Sequence, residues 1–417
     1  MVQNIRDEFQ EWSDYLGEQF ADLSYEQESA RRTAARQRAV LIATAVLDGS
    51  PAESIFAAAD SLLQQIGAEI HPIDFLAGPE LAAIVSDLNL AQDGDSLSVS
   101  RRRHGVDLTI LKRLWNQRPY LRGTIVNWLS EITAGSHPAS RYVDRVSEAL
   151  ATLAVSERSL ELLAIVEGWL DSKGRGQRRK LAIDILERLA VESDIGSAVR
   201  QRLYKLANTR TASPGVHSAV AEICGGGFGV LYPGAALVRL RLIAGHTDSP
   251  EVVNVVAAAF RQLFLGQSSK AEMMSVAVAW ASDSDMRTRR AGRLALLALL
   301  AISVQNPAVD SVLEEARSLP KLAEDLVSAW RVLLGDDEVR PEAVVIAVEW
   351  LEAADNKALP SQLVVETLGP AIRDHIAASG MRFIFRGDNE SPTRDKLLSQ
   401  IMGRSIGGTS NDVGMGL

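Results

Sequence analysis

The sequence predicts an all-α protein, an α-solenoid of HEAT-like helix pairs, and three observations lead to this fold class. Aromatic residues make up only 5% of the chain, and Ala, Leu, Glu, Arg and Gln dominate its longer segments, a composition that favours helices over strands. Apolar residues recur every three or four positions. Successive breaks are separated by 38, 38, 36 and 36 residues, a period that fits two helices of about 14 residues with their turns, and they fall at Pro138, Gly176, Pro214, Pro250 and Met286.

The first predicted elements are three helices separated by short breaks. The helix over residues 5–20 has one apolar stripe, which must pack against another part of the molecule; the stripe consists of Ile5, Phe9, Trp12, Leu16 and Phe20. The second helix, residues 29–47, begins with arginines and becomes apolar before Asp48 and Gly49 end it. Pro51 then begins the third helix, since a proline in the first turn costs no hydrogen bond.

Residues 88–106 have a different sequence pattern from the predicted helices around them. The run Asp93-Gly94-Asp95 is typical of a turn, and Leu97 and Val99 alternate with serines as in a short strand. A helix over residues 106–115 follows. This order predicts a winged-helix-like module within an N-terminal helical domain, residues 1–118, and the candidate basic residues of its wing are Arg101, Arg102 and Arg103.

The remainder of the chain is predicted to consist of repeats and a tail. HEAT-like repeats cover residues 119–386, with further helix pairs at residues 308–334 and 342–376, and the fixed offsets of tetratricopeptide repeats do not match. The tail, residues 387–417, contains one short helix at residues 394–402. Residues 407–416 (GGTSNDVGMG) are rich in Gly and contain few large apolar residues, so the tail is expected to be mostly disordered.

Three segments resemble part of a known family. Residues 38–63 (RAVLIATAVLDGSPAESIFAAADSLL), 105–115 (GVDLTILKRLW) and 122–129 (RGTIVNWL) are similar to the region C-terminal to the nucleotide-binding core of bacterial STAND-type ATPases. In that family a winged-helix-like segment and a helical-repeat sensor follow the core. The ATPase core has no counterpart in this sequence, so the resemblance implies a sensor, arm or adaptor.

No motif in the sequence predicts catalysis, a metal or a cofactor. A phosphate-binding P-loop needs a Gly-Lys pair, and the chain contains none. The glycines of residues 225–229 do not fit a dinucleotide-binding pattern and are interpreted as a break between helices. Asp336 and Asp337 follow an apolar run that completes a helix, which disfavours a magnesium site.

The histidines and the single cysteine also give no indication of a metal site or a catalytic site. The six histidines are isolated from one another in sequence, with no metal-binding spacing, and they are His71, His104, His137, His217, His246 and His375. Cys224 is the one cysteine and is expected to be a small core residue, so no disulfide is predicted within the chain. Catalytic, cofactor-binding and metal-binding residues are therefore all predicted to be absent.

Basic clusters are the remaining candidates for a binding surface. Two clusters occupy similar positions in their repeats, so stacking of the repeats could align them into a ridge; its members are Lys173, Arg175, Arg178, Arg179, Lys180, Arg287, Arg289, Arg290 and Arg293. Two interpretations stay open: a site for an anionic partner, or a solvated edge balanced by neighbouring carboxylates. The formal net charge of -9 disfavours a dedicated duplex binder.

These observations predict a non-enzymatic scaffold or sensor that binds a protein partner, namely an acidic segment or helix. The resemblance implies an adaptor in an ATPase-linked bacterial system. No apolar run is long enough for a membrane anchor, and nothing requires an oxidising compartment, so a cytoplasmic location is expected. The alternative is a HEAT-like DNA-binding repair protein of the alkylpurine glycosylase type, which nucleic-acid binding would distinguish.

Overall fold

The computed structural model describes residue 17 and residues 28–68, 78–101, 104–159, 161–171, 176–266, 270–301, 311–385 and 391–403. Helices predominate in these residues, and the strands found in them belong to one small sheet. The predicted all-α fold class is therefore confirmed. Several predicted features lie outside the described residues: the stripe of residues 5–20, His71, Arg102, Arg103, Lys173, Arg175 and the end of the tail, residues 404–417.

The chain divides into two compact units, residues 1–200 and 201–417. The helices of the N-terminal unit are α1 (Glu28–Val46), α2 (Ala52–Gln65), α3 (Leu81–Asp87), α4 (Val106–Gln117), α5 (Arg122–Ile132), α6 (Val143–Glu157), α7 (Leu163–Leu170), α8 (Gln177–Val191) and the start of α9 (Gly196–Asn208). Its strands are β1 (Ser50–Pro51), β2 (Ala91–Asp93) and β3 (Ser96–Ser98), and single 3-10 turns lie at Pro119–Leu121 and Pro138–Tyr142.

The three strands form an antiparallel sheet in the order β1-β3-β2, with α1 to α3 before the β2–β3 hairpin. This is the element order expected of the winged-helix-like module. Asp48, predicted only to end a helix, also fastens the hairpin: its Oδ1 accepts hydrogen bonds from the Ser98 hydroxyl and the Val99 amide, both at 2.8 Å. A carboxylate that accepts two donors at once fixes where β3 lies against the end of α1.

The N-terminal unit does not end near residue 118, where the sequence places a domain boundary. Helix α5 packs against α2, and α6 packs against both α1 and α4. Trp128 of α5 is fully buried, and its Nε1 donates a hydrogen bond to the carbonyl oxygen of Ala58 in α2 at 2.8 Å. The boundary is therefore corrected, because helices after Pro119 bury the apolar faces of helices before it.

The C-terminal unit continues with helices along the chain. They are α10 (Pro214–Gly225), α11 (Gly227–Leu231), α12 (Pro233–His246), α13 (Pro250–Gly266), α14 (Lys270–Ala281), α15 (Met286–Leu300), α16 (Ser311–Ser318), α17 (Pro320–Gly335), α18 (Arg340–Asp355), α19 (Ser361–His375) and α20 (Pro392–Ile401), with a 3-10 turn at Met381–Phe385. Helix α10 packs on α13, and α13 packs on α15. Such packing between successive repeats is typical of a helical-repeat protein, and the HEAT-like arrangement in particular stays a prediction.

Helices begin at or directly after the predicted breaks because the local chemistry requires it. Pro214 is in the first turn of α10, and the Ser213 hydroxyl accepts a hydrogen bond from the Val216 amide at 3.3 Å. Asp285 caps α15 by accepting a hydrogen bond from the Thr288 amide at 2.8 Å. A side-chain acceptor of this kind satisfies an amide that has no partner within the helix.

Part of the predicted tail is an ordered helix. Helix α20 packs against α18 and α19, and Leu397 is fully buried. Ser391 caps this helix, and its hydroxyl also donates a hydrogen bond to Asp355 of α18 at 2.5 Å. The short helix predicted at residues 394–402 therefore belongs to the core of the C-terminal unit.

Cys224, at the end of α10, is fully buried, and burial raises the pKa of its thiol to about 12, partly offset by the charge of Arg239. The thiolate is the reactive form of cysteine. We therefore expect a disulfide reagent at pH 8 to label the native chain roughly 1,000-fold more slowly than an exposed cysteine of ordinary pKa. Absorbance of the released thiol measures the rate, and the same protein in guanidinium chloride is the control. Labelling within minutes without denaturant would contradict the burial.

Candidate partner-binding site

An apolar pocket with two arginines lies in the N-terminal unit, between α1, α2, α4 and α5; we call it the arginine pocket. Its apolar lining includes Ala39, Ile42, Leu62, Leu114 and Ile125, and its charged side chains are Arg38 and Arg118. The volume is about 160 Å³, smaller than the roughly 300–1,000 Å³ of most small-molecule sites. The arginine pocket is therefore suited to one or two side chains of a peptide.

Helix geometry places these residues. Arg38, Ala39 and Ile42 lie three, four and seven residues after Ala35, so the four residues share one face of α1. Pro119 cannot continue α4, which leaves Arg118 just past the last turn of that helix. A guanidinium at this position also interacts favourably with the carbonyl end of the helix.

The lining of the arginine pocket contains no acidic residue among the residues described. The nearby carboxylates of Asp60 and Glu131 are engaged by other side chains: Arg36 lies 3.7 Å from Asp60, and Gln65 donates a hydrogen bond to Glu131 at 2.5 Å. Both arginines of the pocket are half-buried, and Ile66 at its edge remains 46% exposed. The pocket thus combines an apolar floor with positive charge, which complements a ligand that is apolar and anionic.

The candidate wing residues give less positive charge than the sequence indicates. Arg101 follows β3, and its guanidinium forms an ion pair with Asp93 of β2 at 2.6 Å. The hairpin turn itself, between Asp93 and Ser96, contains Asp95. The described part of the wing therefore carries paired or negative charges.

The first cluster of the predicted ridge lies at the start of α8. Arg178 and Arg179 are half-buried and Lys180 is exposed. Burial lowers the pKa of Arg178. The first cluster belongs to the N-terminal unit, and the second cluster belongs to the C-terminal unit.

The second cluster, on α15, is largely engaged within its own unit. Arg289 donates hydrogen bonds to the carbonyl oxygens of Asp283 and Ser284, both at 2.9 Å. Two more arginines form ion pairs with carboxylates, namely Arg290 with Asp248 at 2.8 Å, and Arg293 with Glu338 at 2.9 Å and with Asp336. Arg287 is exposed. For this cluster, the contacts favour the second interpretation of the ridge, an edge balanced by neighbouring carboxylates.

The two other features singled out in the sequence have structural roles. A Cβ at Gly225 would lie 3.0 Å from the Cα of Ala259, so the glycine cluster between α10 and α11 permits close packing against α13. Asp337 forms an ion pair with Arg340 at 2.5 Å, and Asp336 pairs with Arg293. The two carboxylates for which a magnesium site was disfavoured therefore form ion pairs with arginines.

Two histidines that are isolated in sequence meet in the C-terminal unit. The rings of His217 and His246 lie 5.0 Å apart in an edge-to-face arrangement, and Nε2 of His217 lies 3.1 Å from the Thr209 carbonyl oxygen. Burial lowers the pKa of both side chains, and the neighbouring His217 and Arg210 lower that of His246 further. The two histidines are 29 residues apart in sequence and meet because the fold packs α10 against α12.

A second surface groove, of about 870 Å³, lies in the C-terminal unit along α18 and the 3-10 turn at Met381–Phe385. Val345 and Phe383 are exposed there, and Asp337 and Glu349 are also in its lining. Its arginine, Arg340, is held by Asp337 and by the Leu334 carbonyl oxygen. Carboxylates in the lining of this groove disfavour an acidic partner, whereas the described lining of the arginine pocket contains none, so the arginine pocket is the better candidate.

We found no family model, curated protein or solved structure that matches this chain. The resemblance to STAND-type ATPases therefore remains a hypothesis that depends on the three segments quoted above. None of the helices within the described ranges combines the length and hydropathy needed to cross a bilayer. Across the same ranges, His, Cys, Asp and Glu side chains do not gather in threes as metal ligands would.

The sequence analysis did not identify the arginine pocket, although it contained a signal for it. Arg38 interrupts the apolar spacing of Ala35, Ala39 and Ile42, and an arginine within an apolar helix face often marks a polar contact or the edge of a cavity. Arg118 gave no such signal, because its position beside α1 depends on how α4 packs.

Proposed function

We propose that this chain is a non-enzymatic helical-repeat scaffold or sensor that binds a protein partner, and that the partner docks an acidic, amphipathic helix against the arginine pocket with one or two apolar side chains inserted into it. The observation that supports the proposal is the presence of Arg38 and Arg118 on an apolar pocket whose described lining contains no carboxylate. Apolar anchors on a helix commonly dock into such grooves, and flanking charges then select the partner.

The expected energies show how strongly the charges of the arginine pocket select among partner helices. Burying about 100 Å² of apolar surface contributes roughly 2.5 kcal/mol. A hydrogen bond between a guanidinium and a carboxylate contributes about 1.5–3 kcal/mol, so the loss of one changes the dissociation constant about tenfold or more. The charges therefore decide between acidic and basic helices that carry the same apolar residues.

The cellular system and the location that we propose for the chain are based on its sequence. The resemblance to STAND-type ATPases suggests an adaptor in an ATPase-linked bacterial system, with a cytoplasmic location. The alternative of a DNA-binding repair protein has weaker support, because α3, the helix before the wing, contains no Lys or Arg and ends in Asp87.

Two designed peptides test the proposed function. Both are helical, carry Leu and Trp at spacings of three and four, and differ only in having Glu or Lys at the polar positions. By fluorescence anisotropy, we expect the chain to bind the Glu peptide at least about tenfold more tightly than the Lys peptide, and Arg118→Glu to remove about tenfold of that affinity.

The matched control is Arg113→Glu, which introduces the same charge change on α4 outside the lining of the arginine pocket. This variant is expected to keep its affinity within about twofold, since a charge outside the contact surface acts weakly at a distance in salt. Equal binding of the Glu and Lys peptides, or equal losses in both arginine variants, would contradict the proposed site.

A further inference from the structure

The residues that precede α1 have the chemistry that the arginine pocket requires. Residues 1–27 contain seven Asp or Glu and one Arg. The same segment contains the predicted apolar stripe, with Phe9 and Trp12 near its centre and Glu8 on its flank. An amphipathic helix of this kind needs a partner surface for its apolar face.

The surface next to this segment has the opposite charge. Arg31 and Arg32 are exposed in the first turns of α1, and Arg38 lies two turns further along the helix, at the arginine pocket. The net charge of the segment is therefore matched by positive charge directly after it in the chain. Complementary charge of this kind favours the docking of one element on the other.

The connection is long enough for the segment to reach the pocket. Seven residues separate Phe20 from Glu28, the first residue of α1, and such a stretch spans at most about 25 Å. Ala35, in the lining of the pocket, lies about 10 Å along α1 from Glu28. The connection therefore allows the segment before α1 to reach the arginine pocket.

We propose that the N-terminal segment, residues 5–20, docks into the arginine pocket of its own chain and competes there with the partner helix. This inference depends on the proposed function, because it assigns a competitor to the same pocket. The linked segment acts at an effective concentration of about millimolar, so it reduces the apparent affinity for a separate helix without any change in the pocket.

The test uses the full-length chain and a labelled peptide with the sequence of its own residues 4–23. In the stripe variant, Phe9→Ser with Trp12→Ser, the competitor loses its two large central apolar side chains. We expect this variant to bind the peptide 10- to 100-fold more tightly than the wild type, because a docked segment at about millimolar effective concentration no longer competes. Adding Arg118→Glu to the stripe variant is expected to reverse the gain.

The control, Gln3→Ser with Gln10→Ser, also introduces two serines, one before the predicted helix and one on its side away from the stripe, and it is expected to behave as the wild type. Equal affinity of the wild type and the stripe variant, or a wild-type dimer by light scattering that the stripe variant loses, would overturn docking within one chain. The Glu peptide distinguishes the two proposals: if it binds the stripe variant while the chain's own peptide does not, only this inference fails. If neither peptide binds the stripe variant, the proposed function fails as well.

Discussion

Replacing Trp128 with alanine is expected to lower the free energy of unfolding of the N-terminal unit by about 3–5 kcal/mol, the usual cost of removing a large aromatic side chain from a core. Trp128 is fully buried, and it joins α5 to α2 through its hydrogen bond to Ala58. The substitution therefore leaves a cavity and also removes a hydrogen bond between two helices that are distant in sequence. Such a loss is a large fraction of the stability of a typical domain.

Urea unfolding followed by circular dichroism measures the change, and hydrogen exchange of peptides from residues 28–200 assigns it to the N-terminal unit. The variant Trp128→Phe separates the two effects, because it keeps most of the ring volume and removes only the donor, at an expected cost of about 1–3 kcal/mol. Trp280, which is half-buried beneath Arg241, is the control for tryptophan removal. If Trp280→Ala costs as much as Trp128→Ala, the role of Trp128 between the helices is refuted.

The second large effect is expected at Gly292, in the middle of α15. A Cβ at this position would lie 2.6 Å from the Cα of Ala281 and from the carbonyl carbon of Trp280 in α14. Both obstacles are backbone atoms, so the helices themselves must separate. We expect Gly292→Ala to destabilise the C-terminal unit by about 3 kcal/mol, the upper end of the usual range for overpacking.

The matched control has the opposite expected sign. Gly168, in α7, is exposed and has no atom within 4 Å of an added Cβ. Gly168→Ala is therefore expected to stabilise its unit by about 0.5–1 kcal/mol, since alanine favours the helix and restricts the unfolded chain. Differential scanning calorimetry compares the two variants. Stabilisation by both substitutions would mean that α14 and α15 are less closely packed than the structure describes.

The contrast between these two glycines illustrates the limit of sequence analysis for this chain. Both glycines are within helices, and nothing in the neighbouring residues distinguishes them. The same limit applies to the arginines of α15: the sequence gives their clustering, whereas their partners Asp248 and Glu338 lie about 40 residues away in either direction. Only the packing of the helices shows that these charges are balanced.

The arginine pocket likewise depends partly on local sequence and partly on tertiary packing. The face of α1 that contains Arg38 can be derived from helical spacing alone. Its meeting with Arg118 depends on α4 packing against α1 across about 80 residues of chain, and no local rule specifies that contact. The predicted chemistry of the partner, an acidic helix, is retained in our proposal, while the proposed site has moved from the ridge to this pocket.

The sequence by itself determined the all-α class, the period of the helix pairs and the points at which helices begin, such as Pro214 and Met286. These features depend on hydrogen bonds and backbone angles within about four residues, so the local sequence contains them in full. The tertiary structure alone decided the division near residue 200, the pairing of His217 with His246, and the arginine pocket. Each of these joins residues that are distant in sequence, and which of many apolar faces pack together depends on the shape of the whole core.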